Sequence, residues 1–257
     1  MENKLMHEQG SRRYLLINPN TNQLTTQRLQ EVLRPLLPPQ THLTMSTASF
    51  GASYIACEAS HAVAAHACID AWAEYLSQEK EPLDGVLIGC FGDPGLFALR
   101  EMTGCPVTGL AEASFIQAAA LGPFSIVTGG ERWKPMLQRL AGSLGFGAQL
   151  RHIETVAPTG AALQADPDMA IRCLTQACQQ AAQSGVAAII LGGAGLAGYA
   201  RLLQAHCPLP LIDSAQAGWE VLLQQKAPAA PTSRDGFYAP WVGLPPAFSQ
   251  VPAKCHG

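Results

Sequence analysis

The feature that most constrains this chain is that one order of elements occurs in it twice. "RRYLLINPNT" (Arg12 to Thr21) is an apolar strand that stops at a turn rich in Asn and Pro. A helix follows, with Leu29, Val32 and Leu33 on one face and Pro35 closing it. "HLTMSTASFGA" (His42 to Ala52) starts as a strand, and Tyr54 to Ser77 reads as a long helix with Ile69, Trp72, Ala73 and Leu76 on one face. "DGVLIG" (Asp84 to Gly89) is a continuous apolar strand of the kind buried inside a parallel sheet. The next helix is expected to have Asp93 as N-cap, Pro94 in its first turn and Gly104 just past its end, before the strand "CPVTGL" (Cys105 to Leu110).

The second copy runs in the same order. "PFSIVTGG" (Pro123 to Gly130) matches the first strand, and the helix after it carries Trp133, Leu137, Leu140 and Leu144 on one face. "AQLRHIETVAPTGA" (Ala148 to Ala161) matches the second strand, Asp166 and Pro167 open a helix, and "VAAIILGG" (Val186 to Gly193) is the buried third strand. "CPLPLID" (Cys207 to Asp213) mirrors "CPVTGL". Superposing the copies sets Asn18 against Thr128 and Cys90 against Gly193.

Strands alternating with helices predict an α/β fold of two pseudo-symmetric lobes, each a mainly parallel sheet flanked by helices. The first lobe is expected to comprise residues 12–113 plus 214–225, and the second 114–213. Residues 226–257 hold six prolines in 32 positions and form an irregular C-terminal extension, with Tyr238, Trp241 and Phe248 on the surface or against a partner subunit. In parallel sheets ligands bind beyond the carboxyl ends of the strands, so the active site belongs in the cleft between the lobes.

Composition narrows the function. With 48 % apolar and 14 % charged residues, the 257-residue chain can bury a sizeable core. A net charge of −3 without basic clusters points away from nucleic acid and anionic membranes. The polar start "MENKLMHEQGSRR" has no apolar signal segment, and no apolar run is long enough to span a bilayer. Eight irregularly spaced cysteines read as reduced thiols of a cytoplasmic protein.

Among those thiols, Cys90 ends a buried strand and precedes a helix N-terminus, where backbone N–H groups should lower its pKa. It is the candidate catalytic residue; a small apolar filler is the alternative. Cys57, His61 and Cys68 share a helix face, but lie in alanine-rich core sequence with no second set of ligands, so no metal is expected. "GGAGLAG" (Gly192 to Gly198) has the spacing of a dinucleotide loop. Too little chain follows for the rest of that sheet, so no cofactor is expected and the glycines instead bring N–H groups to an anionic substrate. Asn18, Phe91, Gly92, Thr128, Gly129, Gly193 and Ala194 are the candidate substrate-binding residues. Asp93 reads as a cap rather than a base, and Glu112 and Asp213 stay open.

"INPNT" (Ile17 to Thr21), "GCFGDPGL" (Gly89 to Leu96), "PVTGLAEA" (Pro106 to Ala113) and "FSIVT" (Phe124 to Thr128) resemble the hydantoin and allantoin racemase branch of the aspartate/glutamate/hydantoin racemase superfamily. The resemblance runs from Tyr14 to Leu223. It implies an isomerase without a cofactor that moves a proton at the α-carbon of a small carboxylate, amino-acid derivative or hydantoin-like ring, with one cysteine from each lobe flanking that carbon. Cys90 is the first of these, and Gly193 stands where the family's second lobe carries the other. That departure leaves three alternatives: another acid in place of the second cysteine, a one-cysteine decarboxylase of malonate-type acids, or a two-lobed small-molecule binder without catalysis. A homo-oligomer is expected.

Overall fold

The computed structural model describes residues 11–78, 81–156, 163, 166–227 and 241–244. Tyr238, Phe248 and the rest of the proline-rich extension apart from those positions lie outside the described residues, whereas Trp241 is about half exposed.

Each copy of the repeat builds one four-stranded parallel sheet. β1 (Arg12–Asn18), β2 (Thr41–Thr47), β3 (Gly85–Ile88) and β4 (Val107–Gly109) are ordered β2-β1-β3-β4. β5 (Phe124–Gly129), β6 (Leu150–Val156), β7 (Ala188–Gly192) and β8 (Leu211–Asp213) are ordered β6-β5-β7-β8. The registers agree as well. Ile17 pairs with Ile88 and Ile88 with Gly109; Val127 pairs with Leu191 and Leu191 with Asp213. Asn18 is therefore equivalent to Thr128, Cys90 to Gly193, and Gly109 to Asp213.

Leu15, Leu16, Ile17, Val86, Leu87 and Ile88 are fully buried, as central parallel strands covered on both faces must be. The covering helices are α1 (Gln23–Leu33), α2 (Glu58–Gln78), α3 (Leu96–Met102), α4 (Leu110–Leu121), α5 (Trp133–Ser143), α6 (Pro167–Ala182), α7 (Tyr199–Leu203) and α8 (Ser214–Gln224). Among the described residues none is long and apolar enough to cross a membrane.

Two of these helices join the lobes. α8 follows the second sheet in sequence yet packs on the first. Trp219 meets Tyr14 edge-on with ring centroids 5.0 Å apart and donates its indole N–H to the Leu36 carbonyl at 3.1 Å. α4 follows the first sheet, and its Phe115 stacks on Phe124 of the second at 5.6 Å. Gly218 lets α8 lie close to Leu110 of α4 and Leu87 of β3; a Cβ there would come within 3.0 Å of both side chains.

Three helix starts test the sequence reading. Asp166 caps α6 through the Met169 N–H at 2.9 Å, with Pro167 in the first turn, as expected. α2 begins at Glu58 rather than Tyr54, because the Ser60 hydroxyl holds the preceding turn by accepting from the N–H groups of Ala56 and Cys57. α3 begins at Leu96, not after Asp93, since Gly95 sits at φ +81° between them. Asp93 itself turns away and caps a different helix.

Candidate active site

The carboxyl ends of β1, β3, β5 and β7 open on one cleft between the lobes, with about 600 Å³ of space continuous with solvent. The loop after β3 brings Cys90 and Phe91; the loop after β7 brings Gly193 and Ala194; β5 ends in Thr128 and Gly129. Those six of the expected site residues line one space.

Asn18 and Gly92 do not, and each has a physical reason. Asn18 is fully buried, and its amide nitrogen donates to Asn20 Oδ1 at 3.2 Å, the Asn22 carbonyl at 3.1 Å and Thr26 Oγ1 at 2.9 Å. It organises the turn from beneath. Asn20 and Asn22 line the cleft instead, and Asn20 Oδ1 is held by Asn18 Nδ2 and by the Asn22 N–H at 2.9 Å. Gly92 faces a neighbouring cavity, and its carbonyl is 2.9 Å from His61 Nε2. A Cβ on Gly92 would fall 2.4 Å from Trp133 Cζ3, so a glycine is needed to seat that indole.

Asn20, Asn22, Tyr54 and Trp133 are among the further residues that line the cleft and that were not expected in the substrate site. The run Asn18–Pro19–Asn20–Thr21–Asn22 carried a signal for the first two, since amide side chains clustered in a turn at a strand end are candidates for the site beyond it. Tyr54 and Trp133 read only as helix-face residues. Tyr54 in fact lies before α2 and donates its hydroxyl to the Gly129 carbonyl across the cleft at 3.3 Å. Two more contacts tie the lobes: Arg139 forks onto Glu58 at 2.5 and 2.8 Å, and Arg28 Nε donates to the Ala197 carbonyl at 3.0 Å.

The sequence matches the Asp/Glu/hydantoin racemase family over residues 15–222. It is 33 % identical over 205 residues to a hydantoin racemase of Pseudomonas sp. strain NS671, covering 79 % of this chain and 81 % of that one. It is 32 % identical over 229 residues to a hydantoin racemase of Paenarthrobacter aurescens, covering 88 % and 96 %. The allantoin racemase from Klebsiella pneumoniae has the same fold, with a TM-score of 0.78 at 29 % identity over 83 % of this chain and 87 % of that one. The chain belongs to the Asp/Glu/hydantoin racemase family. It is thereby an isomerase of the racemase type.

Within this racemase-family site the thiols differ from expectation. Cys90 is buried, and burial pushes its pKa well above the ordinary thiol range, with Asp93 and Cys68 adding to the shift. The expected lowering by a helix N-terminus fails because α3 starts only at Leu96 and a carboxyl group lies between. Among the described residues the thiol of Cys57 is pulled downward, by the Ser60 hydroxyl 3.4 Å from its sulfur. Its neighbour His61 is engaged at the Gly92 carbonyl, and Cys68 is fully buried in the core.

The acidic residues serve as braces. Asp93 accepts from the N–H groups of Ala111 at 2.9 Å and Glu112 at 2.7 Å, thereby capping α4 from the Cys90 loop. Burial outweighs these bonds and pushes its carboxyl up to about 7. Glu112 binds Arg100 and accepts from the Thr108 hydroxyl at 2.8 Å, outside the cleft. Asp213 caps its own helix through Ala215 N–H at 3.0 Å and reaches back to the Gly198 N–H at 2.6 Å.

Gly193 has φ +147°, ψ 132°, a backbone region that L side chains rarely adopt. The space around it is open: a Cβ would find Leu196 Cγ at 3.4 Å, an ordinary contact. One thiol and one bare glycine therefore occupy the two pseudo-equivalent strand ends.

Proposed function

We propose that the protein transfers a proton at the ring carbon of a hydantoin-like substrate bound between the lobes, with Cys90 as the acid/base and no cofactor. The observation that carries this reading is the Cys90 thiol at the cleft end of β3, in a fold and family shared with hydantoin racemases. A carbon next to a carbonyl loses its proton to give an enolate, so the site must supply a base, an acid and donors for the oxygen. Asn20 suits the last role: its Oδ1 is held by neighbouring N–H groups, which leaves its own Nδ2 donor for the substrate. Thr128 supplies a hydroxyl from the other lobe.

The raised pKa gives Cys90 a direction. Burial keeps it a protonated thiol, hence a ready acid toward a carbanion; as a base it must first lose its proton, which a substrate and the cleft's donors would favour. Gly193 offers no group on the opposite side. Proton delivery from one face follows, and exchange at the substrate carbon is faster than inversion.

The same protonated, one-sided thiol favours a second reading, decarboxylation of a malonate-type acid. The carbon–carboxylate bond breaks, carbon dioxide leaves, and the S–H proton passes to the carbanion; solvent then reprotonates the thiolate. The two readings separate by experiment. Wild type and Cys90→Ala are incubated in deuterium oxide with 5-substituted hydantoins and with 2-substituted malonates, and deuterium incorporation, chirality and carbon dioxide release are recorded. Exchange on hydantoins that Cys90→Ala abolishes supports the first reading; carbon dioxide from malonates supports the second. A wild-type protein that does neither overturns both readings and directs the search to other substrates with an acidic α-carbon.

A further inference from the structure

A second cavity adjoins the cleft, of similar size at about 640 Å³, and is walled by His61, Leu96, Phe97, Met136, Arg139 and Leu140. Trp133 lines both spaces. Its indole is buried and runs from one to the other. A Cβ on Gly130, beside the cleft, would lie 3.7 Å from Trp133 Cδ1 and 3.6 Å from the Tyr54 hydroxyl. The opposite edge of the ring, Cζ3 and Cη2, rests on Gly92 at the second cavity. The His61 ring meets the indole edge-on at 6.4 Å, and its bond to the Gly92 carbonyl fixes it there. One side chain thus forms the partition between two spaces.

The far cavity suits an uncharged, largely apolar group. Leu96, Phe97, Met136 and Leu140 supply its apolar walls, while of its polar neighbours the Asp93 carboxyl is turned onto the Ala111 and Glu112 N–H groups and the Arg139 guanidinium is paired with Glu58. Phe97 is 57 % exposed although apolar, so the cavity has an uncovered hydrophobic wall. Cys90 lines the cleft and Gly92, two residues on, lines the far cavity, so a substituent on a carbon held at Cys90 would extend past Gly92 into it.

We propose that Trp133 sets the size of the substituent the active site admits, confining substrates to small side chains by closing the cleft from the apolar cavity beyond it. The proposal rests on the reading of the cleft as the hydantoin site. Removing the indole joins the two spaces and moves preference toward bulky aromatic substituents.

The test uses four proteins: wild type, Trp133→Ala, Trp133→Phe, and Trp133→Ala combined with Leu140→Trp, which refills the far cavity. Deuterium incorporation at C5 is followed with 5-methylhydantoin and 5-benzylhydantoin, and the ratio of kcat/KM for benzyl over methyl is compared. A pocket that gains room for an aromatic ring should raise that ratio about tenfold or more in Trp133→Ala, less in Trp133→Phe, and lose the gain in the double variant. An unchanged ratio while 5-methylhydantoin is still exchanged overturns the proposal and leaves the reaction intact. So does a gain that survives Leu140→Trp, since the ring then goes elsewhere. If wild type exchanges neither hydantoin, the reaction reading fails, and calorimetric binding of 5-benzylhydantoin decides the partition separately: about tenfold tighter binding to Trp133→Ala is expected, and equal binding overturns it. Should the alanine variant unfold, as circular dichroism would show, Trp133→Leu carries the same comparison.

Discussion

Asp93 occupies the space that a side chain at Gly109 would need: a Cβ on Gly109 would lie 2.2 Å from both Cγ and Oδ1 of the Asp93 carboxyl. The equivalent of Gly109 in the second lobe is Asp213, and the equivalent of Asp93 is Leu196. Each lobe therefore has one carboxyl group bracing the loop after its third strand against the helix after its fourth. In the first lobe the carboxyl comes from the loop and reaches the helix; in the second it comes from the strand end and reaches the loop. The contact was kept while the residue supplying it changed sides.

Gly109→Ala should therefore act through Asp93. Displacing the carboxyl leaves the Ala111 and Glu112 N–H groups without their acceptor, at a cost of about 1–3 kcal/mol for each buried orphan. The expected result is a lowered urea midpoint with faster amide exchange at Ala111 and Glu112. Unchanged exchange at those two amides would show that the carboxyl does not depend on the glycine.

Asp93 also makes stability depend on pH. Its folded carboxyl titrates near 7 against an ordinary value of 3.8, so between those values the folded protein keeps a proton that the unfolded chain releases. The contribution is fully present below the ordinary value and is lost as pH rises through 7. Urea midpoints measured between pH 4 and 8 should fall more steeply for wild type than for Asp93→Asn. Equal slopes would remove Asp93 as the titrating group.

Cys57, not Cys90, should react first with stoichiometric iodoacetamide at pH 7. The Ser60 hydroxyl favours the Cys57 thiolate, whereas burial disfavours that of Cys90. Peptide mapping reads the order directly. Labelling of Cys90 ahead of Cys57 would mean that the cleft stabilises its thiolate more than burial opposes it.

Gly193→Cys and Gly192→Ala test adjacent glycines that are needed for different reasons. At Gly193 there is room but φ is +147°, so the variant should fold with a backbone penalty of about 1–3 kcal/mol. A second thiol there should increase inversion relative to exchange on chiral hydantoins, read by chiral chromatography of the recovered substrate. At Gly192 a Cβ would lie 2.2 Å from Phe91 Cε1, and overpacking of about 1–3 kcal/mol should disturb the loop that carries Cys90. Equal inversion in wild type and Gly193→Cys would show that another group already serves the second face.

Much of the arrangement was legible because it is local. The apolar runs at Tyr14–Ile17, Val86–Ile88, Phe124–Val127 and Ala188–Leu191 announce buried parallel strands, and their repetition aligns Cys90 with Gly193 before any contact is known. The cleft follows from where parallel strands end. Asn18 was placed in the right turn, but its amide is spent inside that turn on Asn20, Asn22 and Thr26, and the side chain that reaches the cleft is that of Asn20. Tyr54 and Trp133 gave no signal, since an aromatic residue in a helical pattern reads as core whether it packs inward or walls a cavity.

The sequence by itself determined the duplicated α/β architecture, the cleft and the pairing of one cysteine with one glycine, because strand order and strand ends are written in periodicities of a few residues. Tertiary structure alone decided the state of that cysteine. Desolvation of Cys90 and the nearness of Asp93 depend on how α2, α3 and α4 close around the loop, and burial of a charge outweighs any effect expected from a nearby helix end. It also decided that Asp93 caps α4 across the loop and that Trp133 separates two cavities. Those contacts join residues from different elements, and no local pattern encodes them.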